Sequence, residues 1–322
     1  MQDLKTGWAL SESAVLRTTD GGQQWQEVNP KDLPEPQYGL QGFFLDATTA
    51  WLLVSVSSAS DTGRLYHTRD AGDTWQSIQV PFAGGDLQFL DTQNGSIMAD
   101  RGVAAGSQAV DIYHTADSGQ TWTLISSASP DNPQSEDRLP FAGNKSGMTF
   151  LDDSRGWVAG YVPMMGEAYL YQTQNGGKTW RYQSLTFPPG YDQASVTTYA
   201  PTFFNQQDGV LPVYLATDQP AWDFYFTHDA GNTWQATTPV AIAGPYSLPT
   251  SQDFFIWDGK TFVASHDGGQ TWTQTSSNPD LSQSVHQLDF IDPMTGWATT
   301  IDPSGQNHLY ITTDAGDTWQ DL

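Results

Sequence analysis

Seven copies of one eight-residue phrase, short aromatic and β-branched segments between them, and no long helical period predict an all-β chain closed into a seven-bladed β-propeller, with one phrase hairpin per blade. The phrase reads Ser/Thr-x-Asp-x-Gly-x-Thr-Trp. Its third position falls at Asp20, Asp70, Asp117, Asn175, Asp229, Asp267 and Asp314. Successive steps are 50, 47, 58, 54, 38 and 47 residues, about one four-stranded blade each.

The residue types of the phrase dictate a tight hairpin. Asp or Asn bonds its own backbone two residues on and tolerates the left-handed region, and the Gly two places later supplies a positive φ without steric cost. The Ser/Thr hydroxyl two residues earlier can bond across the turn. The closing tryptophans, Trp25, Trp75, Trp122, Trp180, Trp234, Trp272 and Trp319, open the next strand with a large ring that is expected to be buried and whose N–H needs an acceptor.

A second phrase precedes most hairpins and marks each blade's first turn. Blade one, approximately residues 1–31, starts at Asp3 with Gly7-Trp8; blade two, 32–81, carries Phe44-Leu-Asp46 with Ala50-Trp51 and the strand run Ala50 to Val56. Blade three, 82–129, keeps Phe89-Leu-Asp91 and writes Gly95-Ser96, and blade four, 140–188, has Phe150-Leu-Asp152 with Gly156-Trp157. Blade five, 195–240, has Phe203-Phe-Asn205 with Gly209-Val210, blade six, 241–278, is shortened and lacks the phrase, and blade seven, 279–322, repeats it from Phe290 to Ala298. Because Asp3 aligns with Asp292, Met1 is expected to fall at the end of the innermost strand of blade one, with nearly all of that strand missing. The expectation is therefore a fragment of a longer chain with a three-stranded first blade, closed by packing of blade one on blade seven.

These two phrases resemble the Asp-box, or bacterial neuraminidase repeat, and their combination is similar to the photosystem II stability and assembly factor-like family. The resemblance spans essentially the whole chain and implies a seven-bladed ring, an exported bacterial location and a role in protein assembly. Such propellers tend to carry an arginine patch, and this chain has only seven Arg.

The formal charge is −24, with 36 acidic against 12 basic residues, and only five of the acids are Glu. That balance argues against nucleic acid, whose phosphates demand a Lys/Arg surface, and against anionic lipid. Most of the Asp is turn chemistry and solubilising surface. The absence of Cys removes disulfides, thiol nucleophiles and thiolate metal sites. No run of about 18 apolar residues is present. An extracytoplasmic location, secreted or anchored through a preceding segment, follows from family type and the Asp/Thr/Ser/Gln-rich composition; a monomer is expected.

Candidate chemistry is sparse. A sialidase needs three arginines on one carboxylate, and the nearest match to its Arg-Ile-Pro motif is Arg138-Leu-Pro140, in a long loop, with the other arginines scattered. A glycosidase needs two facing carboxylates, and no pair stands out among the many Asp. His67 and His114 fall at the same place in neighbouring blades, too far apart to share an ion at about 2 Å bonds. Asp70-x-x-Asp73 and Asp314-x-x-Asp317 lack the alternating-oxygen pattern of a calcium loop. Neither a metal nor a cofactor is expected.

Insertions gather instead on the face opposite the phrase hairpins: Ser126 to Lys145, Tyr161 to Tyr169, Ser184 to Tyr199 and Tyr214 to Asp223. Loops of such length are commonly functional. Within and beside them Arg138, Tyr161, Met164, Met165, Phe187, Tyr191 and Trp222 are the candidate contacts for a protein partner, since Met and amphipathic aromatics suit protein surfaces and Arg can grip an acidic group. The competing expectation is that the large apolar members fold inward and cover the ring. A non-catalytic scaffold is the leading function, with a glycan-binding or glycoside-hydrolase protein as the alternative.

Overall fold

The computed structural model describes residues 1–322 apart from 12, 35–38, 56–60, 133–134, 277–284 and 303. Its strands run antiparallel in seven consecutive units. Blade one has three strands, Gly7–Leu10, Val15–Thr18 and Gln26–Glu27. Blades two, three, six and seven are four-stranded meanders. Blades four and five merge into one eight-stranded sheet through a single Tyr161↔Thr197 pair, where Thr198 Oγ1 accepts the Gly160 N–H at 3.0 Å and donates to the Tyr169 carbonyl at 2.5 Å. Blade six keeps four strands despite its missing phrase, opening with the two-residue Tyr246–Ser247.

The phrase hairpin has the expected chemistry in all seven copies. The Ser/Thr hydroxyl donates to Oδ1 of the Asp or Asn at 2.8 Å, or 3.1 Å at Asn175. The same hydroxyl accepts the glycine N–H at 2.8–3.0 Å. Oδ1 also takes the backbone N–H of the seventh residue at 2.8–2.9 Å. The left-handed stretch is two residues long, so Ala71, Ser118, Ala230 and Ala315 stand at φ of 58–65° just before the glycine, a conformation that costs a non-glycine residue about 1–2 kcal/mol.

Burial of the closing tryptophans is less uniform than expected. Trp180 and Trp319 are buried, whereas Trp25, Trp75, Trp122, Trp234 and Trp272 are half-buried. Three indoles bond backbone carbonyls, Trp25 to Gly22, Trp75 to Val28 and Trp122 to Gly119, at 2.8–3.0 Å. The Nε1 atoms of Trp272 and Trp319 have no partner among the described residues.

The glycine of the second phrase is explained by its own phenylalanine. A Cβ on Gly95, Gly156, Gly209 or Gly296 would stand 2.6–2.7 Å from the ring of Phe89, Phe150, Phe203 or Phe290, so only glycine lets that ring lie flat on the second strand. The neighbouring tryptophan then reaches the next blade. Trp51 is sandwiched between His67 (4.5 Å) and Phe89 (3.7 Å) and donates to Ser118 O at 2.9 Å in the blade-three hairpin. Trp297 does the same across the closure, donating to Gly21 O at 3.0 Å. Hydrophobic clusters accordingly lie between neighbouring sheets, for example Trp51, Leu65, Phe82 and Ile97.

Polar bridges tie the inner strands to one another. Gln41 accepts from Gly85 N at 3.0 Å, Asp86 from Met148 N at 2.5 Å, and Gln88 both accepts from Phe150 N and donates to its carbonyl. Ser146 donates to Thr198 O at 2.6 Å, and Ser247 accepts from Phe290 N at 2.8 Å.

Candidate functional site at the rim of blade four

The connection from blade three to blade four runs between strands Thr123–Ala128 and Asn144–Phe150 and is fastened along the outer edge of blade four. Trp180 N donates to Asp137 O at 2.9 Å, Leu139 is 5% exposed, and Tyr169 Oη donates to Pro140 O at 3.2 Å. With Asp137 tied through its carbonyl and Leu139 inserted into the core, the intervening Arg138 points to solvent. Its end is held by Lys145, whose ammonium donates to the carbonyls of Gln108 (2.8 Å), Pro140 (2.9 Å), Phe141 (3.0 Å) and Gly143 (3.0 Å) and lies 5.3 Å from the Tyr169 ring. Burial pushes that ammonium down to about 7 while four carbonyl dipoles hold the cation.

Against this loop stands the outer half of blade four. An open cleft of about 840 Å³ is lined by Glu136, Asp137, Arg138, Tyr171, Arg181 and Tyr182. Tyr171 and Tyr182 are cross-strand partners with ring centroids 5.7 Å apart, and Tyr182 Oη donates to Glu167 at 3.4 Å. Burial, with the Glu167 charge second, raises the pKa of Tyr171 and of Tyr182.

The arginines distinguish this cleft from the rest of the surface. Arg17 donates to Ala47 O, Arg64 and Arg101 pair with Asp32 and Asp111, Arg69 bonds Ser118 Oγ, and Arg155 pairs with Asp152 at 2.7 Å. Arg181 has only a 3.9 Å approach to Asp137 and a side chain 82% exposed. Arg138 has no side-chain partner among the described residues. The two guanidinium groups least committed to the fold therefore share one cleft. Arg181, Tyr171 and Tyr182 were not among the expected residues; the signal available was Tyr169-x-Tyr171 alternating along a third strand, with Arg181-Tyr182 immediately after the phrase.

Of the expected residues that do not line this cleft, Met164 and Met165 are the most exposed, 60% and 71%, on the turn between strands Gly156–Tyr161 and Tyr169–Thr173. Gly166 N donates to Ala194 O at 2.8 Å, anchoring that turn to the blade-five entry. Tyr161 is half-buried at the end of its strand. Phe187 and Tyr191 are half-buried and pack against the cluster of Leu170, Val196 and Tyr225. Trp222 is a correction. It lies inside strand Ala221–Thr227, is 6% exposed, donates to Gly244 O at 3.2 Å, and packs on Tyr199 and Tyr246. The blade-five insertion is a longer hairpin whose turn is only 217–220, and strand pairing draws the indole inward.

The consecutive antiparallel meanders, closed by Trp297 of the last blade on Gly21 of the first, define the chain as a β-propeller. The family model described as "Sortilin, neurotensin receptor 3" matches residues 13–145. Among solved structures, the chain is similar to YCF48 bound to D1 peptide (TM-score 0.59, 17% identity, 98% of this chain and 89% of that one). It is also similar to the BP39L lectin from Burkholderia pseudomallei (TM-score 0.59, 15% identity, 98% and 94%). A third similar structure is the GH93 alpha-L-arabinofuranosidase of Fusarium graminearum in complex with arabinobiose (TM-score 0.50, 12% identity, 88% and 94%). No curated protein sequence matches. At these identities the likeness is one of fold, shared by a peptide-bound protein, a lectin and a glycosidase.

Proposed function

We propose that the chain is a non-catalytic docking platform for another protein, contacted on the rim built by the long loops of blades three to five. The observation that carries this reading is the cleft in which Arg138, with no side-chain partner among the described residues, and Arg181, with only a 3.9 Å approach to Asp137, stand with Tyr171 and Tyr182. Arg and Tyr supply desolvatable, hydrogen-bonding anchors typical of interface centres. The exposed Met164 and Met165 continue the surface, linked through Glu167 to Tyr182. The D1 peptide bound by the similar YCF48 structure is consistent with a polypeptide ligand. The carboxylates whose pKa burial raises, Asp86 and Asp223, are committed to backbone contacts inside the sheets and do not face this cleft. A pair of such groups flanking a substrate is what glycoside hydrolysis would use.

A saccharide ligand is the second reading, favoured by one observation: Tyr171 and Tyr182 share their cleft with the carboxylates of Glu136 and Asp137. The two readings separate in one experiment. Immobilised wild-type protein and an Arg138→Glu/Arg181→Glu variant are used to capture partners from an envelope extract, chosen because composition and family resemblance point to an exported location, and both are run on a glycan array. We expect a protein retained by the wild type and lost by the variant. A saccharide that binds the wild type, with no protein retained, would replace the platform by the glycan reading.

A further inference from the structure

The three most exposed large apolar side chains among the described residues are Met165 (71%), Val103 (70%) and Met164 (60%), and they come from two neighbouring turns. Val103 sits near the tip of a hairpin formed by Gly95–Ala104 and Ser107–Thr115, ten and nine residues long. Its outer part, from Asp100 to Ala105, is exposed. The tip turns through Ala105 and Gly106 at φ of 47° and 79°, and a Cβ on Gly106 would lie 3.6 Å from Pro163 Cγ, immediately before Met164. Hairpin tip and methionine turn therefore abut through Gly106 and Pro163, and we treat the exposed Val103 on one turn and Met164 and Met165 on the other as one apolar ridge.

The ridge is held from beneath. Gln108 N donates to Phe141 O and Gly143 O, Gly143 N donates to Gly106 O at 3.0 Å, and the Lys145 ammonium joins Gln108 to the 140–143 segment. On the other side Gly166 is bonded to Ala194. A preorganised apolar surface loses little entropy on contact, and adaptable methionines suit a packed helix face.

Its borders are acidic. Asp100, Glu167 and Asp192 are exposed beside the two turns, while the neighbouring Arg101 is paired with Asp111 and Lys145 is buried. A second copy of this chain would bring the same acidic border and another charge of −24 against it. We propose that the Val103–Met164–Met165 ridge docks a basic amphipathic polypeptide segment of the partner, apolar residues on the ridge and Lys or Arg over Asp100, Glu167 and Asp192. This rests on the platform reading and specifies its ligand.

Three labelled peptides of about 18 residues test it: a lysine–leucine amphipathic helix, a lysine–serine peptide of equal charge, and a glutamate–leucine helix. Binding to the whole chain is followed by fluorescence anisotropy, for wild type and for Met164→Ser/Met165→Ser, with Val103→Ser as a second variant and melting curves to show that each remains folded. The lysine–leucine helix should bind the wild type saturably, weaken about tenfold or more in the methionine variant, and weaken further with added salt. Equal binding of the lysine–leucine and lysine–serine peptides, unchanged binding in both variants, or preference for the glutamate–leucine helix would overturn the proposal. So would methionine-dependent self-association in sedimentation, or methionine-dependent binding to phosphatidylcholine vesicles, which would assign the ridge to a second copy or to lipid. If a partner's capture is lost on changing Arg138 and Arg181 yet survives the methionine variant, the platform stands and this inference falls.

Discussion

At the scale of single residues, the buried Asp223 and the half-buried His67 shape the acid behaviour of the ring in opposite directions. Asp223 has no solvent exposure; its Oδ1 accepts from Thr237 N and Oγ1 at 3.1 and 3.0 Å, and its Oδ2 has no partner among the described residues. Burial pushes its pKa up to about 6. The folded state then binds the proton more tightly than the unfolded one, so stability from this group is present below about pH 4 and is lost as pH rises through 6. His67, stacked on Trp51, is pushed down to about 4 by burial and then by the Arg69 charge. Its neutral form is favoured in the fold, so stability falls as pH drops from 6.5 toward 4. Asp223→Asn should flatten a segment worth on the order of 2–3 kcal/mol between pH 4 and 6.5 and unmask the opposing histidine slope. Urea unfolding at several pH values checks this; an unchanged profile would show that Asp223 is solvated. The sequence marks the phrase Asp residues as turn formers, because their partners lie within four positions. It has no comparable mark for Asp223, whose burial depends on a strand pairing.

At the scale of elements, Lys145 is the bolt of the candidate site. One ammonium meets carbonyls from the blade-three hairpin and from three residues of the 129–143 connection, so a long loop that would otherwise carry a large ordering cost is fixed at its end. Lys145→Met keeps the apolar stem and removes the ammonium donors, leaving the 140–143 carbonyls only the weaker support of Tyr169 Oη and Gln108 N. Limited trypsin digestion should then cut after Arg138 several-fold faster relative to Arg181, with the phrase hairpins still protected; equal ratios in the two proteins would deny Lys145 that role. The positions of the Tyr161–Tyr169 turn and of the long connections were legible, since strands bounded by turn residues frame them. What each insertion does was not. The Tyr214–Asp223 insertion became paired strand and took Trp222 into the core, while Met164 and Met165 stayed outside on a turn anchored at Gly166.

At the scale of the molecule, the contact between the last and first blades closes the ring and joins units far apart in the chain. Trp297 is 3% exposed, donates to Gly21 O, and lies beside Gly22, where Leu309 and Leu322 also pack. Trp297→Ala removes the indole from the junction of blades seven and one and should cost about 3–5 kcal/mol. Hydrogen exchange should rise first in blade one, whose three strands have the least sheet of their own; uniform exchange across all blades would place the closure elsewhere. The same ring carries a charge of −24, so its long-range field draws cationic partners and repels copies of itself.

The amino-acid sequence by itself determined the all-β propeller class and the hairpin chemistry repeated along it, because each depends on residues within a few positions of one another repeated at a blade-length period. It also indicated which loops build the rim. Only the tertiary structure decided which rim residues meet: Arg138 and Arg181 in one cleft with Tyr171 and Tyr182, the Gly106 hairpin tip against Pro163, and Trp222 withdrawn from the surface. Those juxtapositions join different blades, and a side chain's exposure there is set by strand pairing and by the loop packed against it, which no local spacing encodes.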